Sequence, residues 1–178
     1  MISLKEQEDL FKLIGKKLKE KIECFLIGGS AMMYYGVKEV TKDIDLIITK
    51  ETDIEEIINI FLSIGYKQKN ASILYKQKQN LPVLLELKDS RIDIFLNKVV
   101  SFQLTDTVIN RIKKAHEYGN FVVKVVSPED IFLMKCATER AGDRLDAKEL
   151  VENNRLDWNT IIEESIAQAN FKELLYPL

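Results

Sequence analysis

The chain has 178 residues, 46% of them hydrophobic and 30% charged, with a formal net charge of −2. Such a length supports one domain that buries roughly 70% of its unfolded surface, so no disulfide or metal staple is required. The slight acidity excludes strong nonspecific affinity for nucleic acid, which needs excess positive charge, and leaves room for a local basic groove.

Leu4, Leu10 or Phe11, Ile14 and Leu18 recur at helical spacing, which predicts an amphipathic helix over 3–20 with a lysine-rich solvated face. Lys5, Glu6, Glu8 and Asp9 break up any run of the kind a signal peptide needs, and no later stretch reaches the length of a membrane span. A cytoplasmic location is expected. Lys16 and Lys17 follow Gly15, but the strand and upstream glycine of a P-loop are missing. A strand over 23–27 stops at Gly28 and Gly29, and Ser30 opens a short helix over 30–35 that ends near Gly36. A second strand, over 43–49, carries Asp43 and Asp45 on one face, with Ile44, Leu46 and Ile48 on the other. Asp53 caps or enters a helix through Ile54, Ile57, Ile58, Phe61 and Leu62, stopped by Gly65. Residues 66–69 and 73–77 read as short strands. Residues 81–87 and 91–96 read as a hairpin around Lys88-Asp89-Ser90, and 108–115 with 121–126 as another around Tyr118-Gly119-Asn120. Ser127 and Pro128 then begin a helix to about Arg140, Asp143 caps a further helix and Asp157 one more. The change from strand-rich to all-helical near 127 suggests a core over 1–127 and a helical segment over 128–178.

Glycines let backbone N–H groups approach an anion, and a helix start favours negative charge, so Gly28, Gly29 and Ser30 suit phosphate. Two aspartates on one strand face repel each other unless a cation lies between them, and Mg²⁺ prefers a few carboxylates together with phosphates. Either signal alone has a plain explanation, as a turn after a strand or as solvent-facing acid. Together, and with Asp93 downstream in Arg-Ile-Asp-Ile-Phe, they point to a metal and phosphate site. The plainer role for Asp93 is an ion pair with Arg91, and Glu86 on the preceding strand is the substitute third acid. Lys135 lies on a helix that is apolar almost all round, so its ammonium needs an anion, either Glu139 or phosphate. Arg140 pairs with Asp143 or reaches phosphate. Cys24 and Cys136, far apart in apolar surroundings, read as buried free thiols. The lone His116 reads as a surface residue near a turn, and no zinc-ligand spacing accompanies it.

At these residues the chain resembles the DNA polymerase β-type nucleotidyltransferase superfamily, whose core runs Gly-Gly/Ser, then Asp-x-Asp, then a third Asp on another strand. Gly29, Ser30, Asp43, Asp45 and Asp93 match that pattern. The likeness is greatest to small stand-alone prokaryotic members, including abortive-infection-type toxins, which carry a later segment matched here by Pro128, Glu129, Asp130, Lys135, Arg140, Asp143 and Asp146. The resemblance covers residues 24–152. It implies an α/β (mixed-sheet α+β) polymerase-β-like nucleotidyltransferase core with C-terminal helices. It also implies a Mg²⁺-dependent transfer of a nucleoside monophosphate from ATP or another NTP to a hydroxyl of RNA, protein or a small molecule. Asp43, Asp45 and Asp93 would be catalytic and hold a pair of Mg²⁺ ions, while Gly28, Gly29, Ser30, Lys135 and Arg140 would bind the nucleotide. An antitoxin protein is an implied partner. The alternative is a catalytically silent nucleotide- or partner-binding module of the same fold. There is one departure: relatives place an Arg where this chain has Glu39. Lys38 or Lys42 is the available substitute, and neither has the planar fork of a guanidinium.

Overall fold

Ser3 starts the first helix, α1 (Leu4–Lys17), through a reciprocal cap: its hydroxyl accepts from the Glu6 N–H while the Glu6 carboxylate accepts from the Ser3 N–H. The computed structural model describes residues 1–73, 80–138 and 140–168. Phe11 and Ile14 form the buried stripe of α1, as the helical spacing requires. The preceding residues pair as β1 (Ile2–Ser3) with β3 (Val40–Thr41), a contact that no local pattern announces.

The other strands are β2 (Ile22–Ile27), β4 (Asp43–Ile48), β5 (Lys67–Lys69), β6 (Val83–Leu87), β7 (Ser90–Leu96), β8 (Lys98–Val99), β9 (Phe102–Gln103), β10 (Lys114–Tyr118) and β11 (Phe121–Val125). Seven of them form one mixed sheet in the order β10-β11-β2-β4-β7-β6-β5. The β11–β2 and β4–β7 pairs are parallel and the rest antiparallel. Helices α2 (Gly28–Tyr34), α3 (Glu51–Ser63), α4 (Asp106–Asn110), α5 (Pro128–Cys136), α6 (Ala141–Asn153) and α7 (Trp158–Ala167) are the further helices among the described residues. The mixed α/β architecture expected from the sequence is therefore present. Helix α1 packs on β10 and β11, α3 on β4, β5 and β7, and α5 on α2, α6 and α7. On one side of the sheet Ile44, Leu46, Ile92 and Ile94 are buried in the main core with Phe11, Phe61 and Phe121.

Several local expectations need correction. Helix α2 begins at Gly28, two residues before Ser30, because Ile27 takes the extended cap conformation. Residues 108–115 do not form one strand. Thr105 accepts from the Val108 N–H and caps the short helix α4, so β10 begins only at Lys114. The helix after Pro128 ends at Cys136, short of Arg140. Arg140, and not Asp143, occupies the cap position of α6; Asp143 lies in its first turn, its carboxylate turned inward. Asp157 does cap α7, accepting from Asn159 and Thr160. Of the strand expected over 73–77, Ile73 lies in a 3-10 turn and the rest falls outside the described residues. His116 is half-buried, with its ring 4.8 Å from that of Tyr34. Both cysteines are free, Cys24 buried and Cys136 only half so. Among the described residues no helix is long and apolar enough to cross a membrane.

Candidate active site

The parallel pairing of β4 with β7 sets Asp43 opposite Arg91, Asp45 opposite Asp93 and Ile47 opposite Phe95. Directly paired residues share a sheet face, so the three carboxylates stand together on the side away from Ile44 and Ile92. Asp93 is fully buried. Arg91 bonds Asp43, and its Nη2 lies 3.1 Å from Asp93 Oδ2, so the ion pair open to Asp93 in the sequence reading is formed. Asp93, like Glu86, lines neither cavity at the acids; Glu86 sits across from Arg91 on β6 with its carboxylate 4.0 Å from Lys69, whereas Asp93 lies directly opposite Asp45.

Asp45 is packed against the glycine loop. A Cβ on Gly28 would come within 2.3 Å of Asp45 Oδ2, and Gly28 has φ +64°, so this residue answers both for the backbone turn and for the close approach. Burial, then the charges of Asp43 and Asp93, push the Asp45 carboxyl well above the usual carboxylate range. Ser30 is buried. Its hydroxyl donates to the Ile27 carbonyl at 2.7 Å and accepts from the Asp45 N–H at 3.4 Å. In this arrangement Ser30 fixes the loop to the acidic strand instead of presenting its hydroxyl to the cleft.

Two adjoining cavities share Asp45, Lys135, Arg140 and Asp143. The larger, of about 400 Å³, is lined by Gly29, Lys38, Lys42, Asp43, Arg91 and Asp146 among others. The smaller, of about 60 Å³, runs past Gly28 to an apolar wall of Phe95, Val99, Val100 and Met134. That wall was not foreseen, since Phe95 and Met134 read as ordinary strand and helix hydrophobics and Val99 and Val100 fell in no expected element until the fold brings them beside Asp45.

Helices α5 and α6 supply the opposite wall through a chain of ion pairs. Lys135 Nζ lies 2.7 Å from both Asp143 Oδ1 and Asp146 Oδ2, Lys38 Nζ 2.5 Å from Asp146 Oδ1, and Arg140 Nε 2.5 Å from Asp143 Oδ2. Thr138 also donates to Asp143. Burial alone would raise Asp143, yet Lys135 and these hydrogen bonds bring it below its ordinary value. The anions that the Lys135 ammonium needs are Asp143 and Asp146; Glu139 lies outside the described residues. Lys38 reaches the cleft, whereas Glu39 is exposed.

The donors at the acidic strands are all carboxylate oxygens, the chemistry Mg²⁺ selects. Three crowded acids with one guanidinium also leave negative charge that a cation would neutralise. Among the described residues, however, no three acidic, histidine or cysteine side chains converge as a formed metal cage. Asp43 and Asp93 are turned onto Arg91. The donor set fits the ion, and gathering it requires Arg91 to yield.

The profile of a family described as "Nucleotidyltransferase of unknown function (DUF6036)" matches residues 4–175. No curated protein matches the sequence. Among solved structures, the fold is similar to that of ANT(2")-Ia crystallised with adenylyl-2"-tobramycin, at 15% identity and TM-score 0.57, covering 94% of this chain and 97% of that one. A solution structure of the antibiotic-resistance factor ANT(2'')-Ia gives 13% identity and TM-score 0.57, with 95% and 91% covered. An antigenic nucleotidyltransferase-like protein from Paracoccidioides brasiliensis gives 17% identity and TM-score 0.51, with 99% and 91% covered.

Proposed function

The chain belongs to this DUF6036 nucleotidyltransferase family, and on that premise we propose that it transfers a nucleoside monophosphate from an NTP to an acceptor hydroxyl, releasing pyrophosphate. One observation carries the reading. Asp45 and Asp93 face each other across the β4–β7 register, Asp43 stands beside them, and the Gly28 backbone lies against Asp45 in the same cleft. In this reading Asp43, Asp45 and Asp93 hold Mg²⁺, which when bound would neutralise the triphosphate and polarise the attacking hydroxyl. Gly28 and Gly29 have no side chains to keep the phosphates from the backbone, and both line the cavities at the acids. Lys135 and Arg140 face the same space and supply positive charge, Lys135 held by Asp143 and Asp146 until phosphate competes for it. Asp93 is fully buried and held by Arg91, so it would take the proton of the attacking hydroxyl only once Arg91 has left it and the acceptor reaches it. Lys38 and Lys42 both line the larger cavity, and one of them takes the place of the arginine that relatives have at Glu39.

Incubation of the protein with each labelled NTP, Mg²⁺ and a cell extract tests the reading. Label is expected in one fraction with the wild type and in none with Asp45→Asn, and the labelled fraction identifies the acceptor as RNA, protein or small molecule. Failure of every NTP to label any fraction would overturn the proposal in favour of a silent module. An antitoxin partner would show as a protein that co-purifies and suppresses the labelling.

A further inference from the structure

Arg91 lies where the neutralising charge of the acid cluster has to be. It bonds Asp43, sits 3.1 Å from Asp93, and stands on the same face of the β4–β7 pair, two register positions from the Asp45–Asp93 pair. Asp93 is fully buried, and a carboxylate there without a counter-charge would be strongly destabilising. The guanidinium therefore has a structural reason to be present when no divalent ion is. It is nevertheless a poor final partner. It brings a single positive charge to three carboxylates, and its planar fork of donors serves two of them, whereas a divalent cation takes oxygens from all sides. Arg91 is also placed to leave, since its side chain is 27% exposed and lines the larger cavity.

We infer that Arg91 is a positioning residue, a resident counter-ion that holds Asp43 and Asp93 in the metal-free protein and competes with the divalent cation for those carboxylates. On cation entry it turns into the cleft toward the nucleotide's phosphates. This couples two binding events. A cation arriving alone must displace Arg91 from Asp43 and Asp93 toward Glu86 across the β6–β7 register, a carboxylate Lys69 already approaches, while a cation arriving with a triphosphate brings a stronger anion too. The inference rests on the reading of these acids as the metal site.

Binding of Mn²⁺ to the whole protein, followed by electron paramagnetic resonance without nucleotide, tests it. Arg91→Met is expected to bind Mn²⁺ at least tenfold more tightly than the wild type, with Arg91→Lys in between, because a point charge cannot span both carboxylates. Adding a non-hydrolysable NTP analogue should narrow the gap by tightening the wild type more than Arg91→Met. Unchanged or weaker Mn²⁺ affinity in the Arg91 variants would overturn the inference, and if Arg91→Met does not fold, Arg91→Lys carries the comparison alone. Asp45→Asn separates the two claims. Loss of Mn²⁺ binding in Asp45→Asn with no change in the Arg91 variants defeats only the counter-ion role. Absence of Mn²⁺ binding in every protein defeats that role together with the metal site.

Discussion

Gly28→Ala disturbs the position of Asp45 together with the bare backbone that phosphate approaches. The alanine Cβ would lie 2.3 Å from Asp45 Oδ2, and ordinary contact begins at 3.4 Å, so the carboxylate must retreat by 3.4 − 2.3 = 1.1 Å. A misplacement of about 1 Å at a reacting centre costs roughly 10²-fold in rate. The backbone cost is separate. Holding an alanine at φ +64° destabilises by about 1–2 kcal/mol. The stiffer unfolded chain returns roughly 0.4–1 kcal/mol, for a net loss of about 1 kcal/mol. For a chain of this size that is a fall in Tm of roughly 2–4 °C. Gly36 provides the control, with φ +71° and nothing within 4 Å of its would-be Cβ. Gly36→Ala should therefore show the same small fall in Tm with near-normal transfer. Both variants are compared by thermal melts and by incorporation of labelled nucleotide in extract. If Gly28→Ala loses no more activity than Gly36→Ala, the placement of Asp45 against the glycine loop does not matter for transfer, and the argument from that contact fails.

Asp45→Asn should abolish transfer while leaving Tm unchanged or raised, because burial and the neighbouring charges of Asp43 and Asp93 disfavour the ionised form; a marked fall in Tm would make Asp45 a structural residue. Lys135→Met leaves Asp143 and Asp146 with Arg140 and Lys38, so the expected loss is about 2 kcal/mol, below the 3–5 kcal/mol typical of a broken buried pair. An unchanged denaturation midpoint would refute it. Burial would raise the Glu164 carboxyl, but bonds from Arg111, Gln168 and Thr107 bring it below its ordinary 4.5. A depressed folded value gives stability that is present above pH 4.5 and lost as the pH falls through the folded value. Glu164→Gln should accordingly flatten the acid limb of a Tm profile taken from about pH 6 to about pH 3, and identical limbs would contradict the assignment.

Much was legible in the sequence because it is local. The alternation of Asp43, Ile44, Asp45 and Leu46 fixes which side chains share a face, Gly28 and Gly29 mark a loop that must turn sharply, and Ser127 and Asp157 cap the helices that follow them. The strand expected over 108–115 was mistaken because a β-branched run and a threonine cap compete there, and the cap won. Asp143, expected as a cap, was instead drawn inward by Lys135 and Thr138, since a buried ammonium holds a carboxylate more strongly than a helix end does. Only tertiary structure decides which distant segments meet. The β4–β7 register brings Asp93 beside Asp45, α6 delivers Asp146 to Lys38 and Lys135, and Phe95, Val99 and Met134 converge into one wall. No periodicity encodes these meetings. They follow from strand order and helix packing, which are set by burial of the whole apolar core at once. The candidate site residues were written along the chain, and the partner each one has was chosen by the fold.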